Sequence, residues 1–141
     1  MKTLMTILIS LFCIQVYAPP AGLLPTKLES ELMQSVLHPN PYLELIRAVV
    51  QVESNGNHLA YNPKENAVGA FQIRQIRVIH YNQLRGTNYN LSDFYDYDLS
   101  LEMFMFYAKE KSFEKAAKSW NGSGKMTIDY WNKVKSQLAQ L

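Results

Sequence analysis

Glu53 sits where a carboxylate is costly. Stepping by four from Leu45 through Val49 lands on it, and stepping from Ile46 by four and then three lands on it again. It is therefore the last position of an apolar helical stripe. Desolvation, apolar neighbours and the negative end of the helix dipole all disfavour the ionised form, so a raised pKa is expected. A carboxyl that keeps its proton near neutrality can give it to a leaving oxygen, as glycosidic bond cleavage requires. The competing role is a structural ion pair with Arg47, Arg74 or Arg77 across a helix interface.

The other reactive side chains are poorly arranged for chemistry. His38, His58 and His80 are too far apart for short-range ligand pairs, so no metal and no other cofactor is expected. No serine has a nucleophile-elbow context. The GSGK stretch at 122–125 lacks the upstream glycine and the Ser/Thr of a phosphate loop, which argues against nucleotide binding. Cys13 is the only cysteine, so a disulfide framework is excluded.

These groups need a scaffold, and 141 residues allow one globular domain. Nine Tyr, six Phe and two Trp supply enough apolar surface for a core and a cleft. A net charge of +2 is too small to suggest a nucleic-acid partner. Asp93, Asp96, Asp98 and Glu102 form an acidic run, and the lysines from Lys109 to Lys135 make the last third basic, both read as solvated faces.

The elements read as a string of helices. Lys2, an apolar run from Leu4 to Val16 and the small-residue site ending at Ala18 read as an export signal over 1–18. The protein is then periplasmic or extracellular, unless Pro19 blocks cleavage and the segment stays as an anchor. Residues 19–41 are a leader and a first helix, opened by a Thr26/Glu29 capping box and ending near His38. A second helix, capped by Asn40 with Pro41 at its first position, carries Glu53 and stops at Asn55-Gly56. Ala70–Leu84 reads as a third helix closed by Gly86. Asp98 caps a fourth and Ser112 a fifth, while Thr127 starts the last, with Trp131, Val134, Leu138 and Leu141 on one stripe. Strand alternation is weak and confined to residues 58–68. The fold class is mainly α.

Three motifs sharpen this reading: Glu53-Ser54-Asn55-Gly56-Asn57, Gly69-Ala70-Phe71-Gln72-Ile73 and Ala116-Ala117-Lys118-Ser119-Trp120-Asn121-Gly122-Ser123-Gly124. In order and spacing they resemble the signatures of the soluble lytic transglycosylase family. The resemblance spans 42 to about 132 and implies a single lysozyme-like helical domain over 42–141 with a substrate cleft. It implies that the peptidoglycan glycan strand is the partner, cut at the β-1,4 bond between N-acetylmuramic acid and N-acetylglucosamine. Glu53 takes the catalytic role, and the muramoyl 6-hydroxyl attacks to leave a 1,6-anhydro end. Ser54, Gln72 and Asn121 match family positions at the substrate, with Phe71 and Trp120 as aromatic walls; for Phe71 the core is the competing place, and the favoured one.

Trp120 stands where the family has tyrosine, so the phenol beside the glutamate is missing and only an indole N–H remains. Two alternatives follow. One is a hydrolytic muramidase with Glu65 as second carboxylate, Glu65 otherwise being a solvated loop charge. The other is a non-catalytic peptidoglycan-binding assembly protein. The small size fits a local role in wall remodelling or at an envelope-spanning secretion, conjugation or phage-related assembly.

Overall fold

The structure, a computed structural model, describes residues 40–141. The export signal and the first helix fall outside the described residues. Helix α1 runs Leu43–Ser54 and buries Leu45, Ile46, Ala48 and Val49. It starts two residues beyond the expected Pro41, because the Asn40 side chain first accepts the Tyr42 N–H (2.9 Å) in a turn. Asn55 ends it in the left-handed region at φ 53°, as Asn tolerates.

Residues 67–74 correct the expected third helix. They are the second and third strands of an antiparallel sheet ordered β1-β2-β3, with β1 Tyr61–Asn62, β2 Ala67–Val68 and β3 Ile73–Arg74. Tyr61 faces Val68, and Val68 faces Ile73. The chain reverses through Gly69 (φ 76°) and Gln72 (φ 48°), and two left-handed residues so close together forbid a continuous right-handed helix. Helix α2 begins only at Gln75 and ends at Arg85, with Gly86 as its left-handed cap.

A 3₁₀ turn over Leu91–Tyr95 carries a capping box of Asn90 and Asp93. Helix α3, Tyr97–Ala108, is capped by Asp96, whose carboxylate accepts the Leu99 N–H (2.8 Å), and not by Asp98. Glu102 accepts from Tyr81 (2.9 Å) and pairs with Arg85 (3.5 Å). Most of the acidic run is thus spent on caps and local partners. Helix α4 spans Phe113–Asn121 and has Ser112 as N-cap. Helix α5 spans Met126–Leu138.

The body is mainly helical, with α5 packed on α1 and α4, and α4 on α3. Phe71, fully buried, sits at its centre, stacked on Phe104 (centroids 5.1 Å) and edge-on to Trp120 (6.2 Å). The α5 stripe differs from expectation. Thr127, Tyr130 and Val134 face inward, Trp131 and Leu138 are only partly buried, and Leu141 lies past the helix end, 65% exposed. Among the described residues no helix is long and apolar enough to cross a membrane.

Candidate active site

Burying one stripe of α1 carries Glu53 to the edge of the core, where it is half-buried in the last helical turn. Ser54 fixes that turn. Its hydroxyl lies 3.1 Å from the Val50 carbonyl and 2.8 Å from that of Ala70, tying the helix end to the 69–72 turn. Glu53 and Gln72 are thereby held on two sides of one cleft of about 370 Å³. Glu65, Arg74, Arg77, Trp120, Asn121, Gly122, Ser123 and Met126 complete its lining.

The Tyr130 hydroxyl donates a 2.7 Å hydrogen bond to Glu53 Oε1 from the buried face of α5. Burial, foremost, raises the Glu53 pKa from 4.5 to about 7, and the Glu65 charge adds to that. The Tyr130 bond, Arg74 and Arg77 pull the other way. Desolvation therefore wins over hydrogen bonding and two cations. Burial, then the Glu53 charge, pushes the Tyr130 phenol well above its usual range, so it stays protonated and remains a donor. With Oε1 occupied by Tyr130, Oε2 is the oxygen left to carry the exchangeable proton.

Among the described residues Glu53 makes no ion pair. Arg74 instead reaches Glu65 (3.9 Å) and donates to the Asn121 carbonyl (3.3 Å). Arg77 donates to the Trp120 carbonyl and lies over its ring, 4.1 Å from the centroid.

Of the residues singled out in the sequence, Glu53, Gln72, Trp120, Asn121 and Glu65 come together around the cleft. Ser54 and Phe71 do not line it: the Ser54 hydroxyl is spent on backbone, and Phe71 is core. Trp120 is only 4% exposed, with an edge at the cleft, and its indole N–H is given to the Phe71 carbonyl (3.2 Å). It is not the donor beside Glu53. The Gln72 amide N–H groups face the carbonyls of Gly69 (3.0 Å) and Ala60 (3.4 Å), leaving its oxygen for a ligand donor.

Sequence reasoning missed Tyr130, because Trp131 next to it is the larger aromatic. Its signal was the Thr127, Tyr130, Val134 spacing, which shares one helix face. Arg74 and Arg77 enter the sequence reading only as partners for Glu53; Arg74 ends β3 and Arg77 lies in α2, so no single periodicity brings them together. No family model, curated protein or solved structure matches the chain, leaving the chemistry of this cleft as the guide to its function.

Proposed function

We propose that the protein is a lytic transglycosylase that cuts the muramoyl-glucosaminyl β-1,4 bond of peptidoglycan strands. The observation that carries this is a half-buried carboxyl at the wall of a polar cleft, its pKa raised by burial to about 7 so that about half of it is protonated at neutral pH. A glutamate at the end of an apolar helix, followed at once by a small antiparallel sheet, also fits the lysozyme-like fold that the three motifs imply. The glycosidic oxygen takes the proton from Glu53 Oε2 as its bond to the muramoyl C1 breaks. The resulting carboxylate then accepts the proton of the muramoyl 6-hydroxyl, whose oxygen closes on C1. Glu53 ends protonated, ready for another turn.

Tyr130 supports both halves of this cycle. Its hydrogen bond strengthens when Glu53 becomes charged, so it stabilises the carboxylate that forms in mid-reaction. It also supplies the phenol that Trp120 does not, which weakens the non-catalytic reading. Export by the 1–18 signal, and a local role at an envelope assembly, are part of the same proposal.

Hydrolysis is the second reading, and Glu65 favours it, since it lines the same cleft and its charge raises the Glu53 pKa. Against it, Arg74 stands beside the Glu65 carboxylate, and Glu65 is mostly exposed. Mass analysis of muropeptides released from sacculi separates the readings. Transglycosylation predicts 1,6-anhydro ends, lighter by one water than reducing ends. Reducing ends alone would replace it with a muramidase, and no released muropeptide would overturn both.

A further inference from the structure

The cleft carries more cationic character than proton transfer needs. Arg74 closes β3 and Arg77 lies one turn later in α2, and both line the cleft. Each is anchored at one nitrogen by consecutive backbone carbonyls at the end of α4, Asn121 for Arg74 and Trp120 for Arg77. Arg77 is further held over the Trp120 ring and 5.2 Å from the Tyr107 centroid. A guanidinium has five N–H donors, so anchoring leaves most of them unspent while fixing where they point.

The local anions do not cancel this charge. Glu65 stands 3.9 Å from Arg74, beyond hydrogen-bond distance, and is more than half exposed. Glu53 is about half neutral at pH 7. The first turn of α2 has no acidic residue and no side-chain cap, so its dipole adds positive potential rather than offsetting it.

Two pre-positioned guanidinium groups in a polar cleft suit a planar carboxylate, which can take paired N–H donors. Resting on the glycan-cleavage reading above, we propose that Arg74 and Arg77 form an anion subsite that takes a carboxylate carried by the glycan strand beside the bond that is cut. Two sources share this chemistry: the lactyl carboxylate of a stem-free muramoyl residue, and the free carboxylates of a peptide stem.

Calorimetric binding to the full-length Glu53→Gln protein, which does not consume its ligand, tests the subsite with four tetrasaccharides. Three alternate N-acetylglucosamine with N-acetylmuramic acid: one with free lactyl carboxylates, one with those groups as methylamides, and one bearing peptide stems. The fourth is neutral chitotetraose. At low salt a carboxylate-bearing ligand is expected to bind about tenfold or more tighter than the methylamide and chitotetraose, as charge-assisted hydrogen bonds allow. High salt should narrow the gap. Preference for the free lactyl form assigns that source, and preference for the stem-bearing form assigns the stem. Arg74→Gln and Arg77→Gln should each shrink the preference to about threefold or less, while the ligand comparison itself needs no arginine variant to fold. Equal affinity for all four ligands would overturn the subsite and leave the cleavage reading standing. Binding of none of the four would overturn both.

Discussion

Replacing Glu53 with glutamine is expected to lower glycan cleavage by about two to four orders of magnitude, the usual contribution of general acid-base catalysis, with the fold intact. Glutamine keeps the shape of the side chain, and its amide oxygen can still accept the Tyr130 hydroxyl. Stability should move in the favourable direction, and the pH dependence says where. The Glu53 carboxyl titrates near 4.5 in an unfolded chain and near 7 in the fold. Between those values the unfolded state has released its proton and the folded state has kept it, so this group makes stability fall as pH rises. The loss amounts to at most about 3 kcal/mol, complete above pH 7. Glutamine has no such proton. The variant should match the wild type near pH 4 and melt higher near pH 8. An ion-paired Glu53 would give the opposite result, a loss of about 3–5 kcal/mol with wall cleavage retained.

Gly69→Ala is expected to be the most damaging of the small substitutions around the cleft, at about 3 kcal/mol or more. At φ 76° an added Cβ would lie 2.2 Å from the Phe94 carbonyl oxygen, a contact that requires backbone to move. That oxygen also accepts the hydroxyl of fully buried Ser100 (2.6 Å), so the displacement would spread into the start of α3. The left-handed backbone adds strain of its own. For a described body of this size the melting temperature should drop by about 10–20 °C. Gly86→Ala is the control. Its φ is 67° but nothing lies within 4 Å of the added Cβ, so only the conformational cost of about 1 kcal/mol applies. Equal losses in the two variants would contradict the close approach of the 69–72 turn to Phe94.

Glu53 was legible in the sequence because one local rule, the helical stripe, carries it to the core edge and predicts its pKa direction. Asn55, Gly86 and Ser112 were legible for a similar reason, since caps are decided within a few residues. The sheet was not. Each strand is two residues long, too short for alternation to register, and the reversal at Gln72 uses a left-handed non-glycine that propensity does not flag. Phe71 and Ile73 then read as an extension of α2. Tyr130 was hidden by distance: it lies 77 residues from Glu53 and meets it only because α5 packs on α1. Long-range packing also decided Trp120, whose indole N–H goes to the Phe71 carbonyl and not to the cleft.

The proposed cleavage needs Glu53 to hold a proton that an ordinary surface glutamate would have lost. A carbon-detected NMR titration of its side-chain carboxyl, assigned by comparison with Glu53→Gln, measures this directly. In Tyr130→Phe the midpoint should rise above that of the wild type, since the lost hydrogen bond favoured the charged form. In the wild type the predicted midpoint is about 7. A midpoint near 4.5 would mean a carboxylate at neutral pH and would contradict the proposed proton donor.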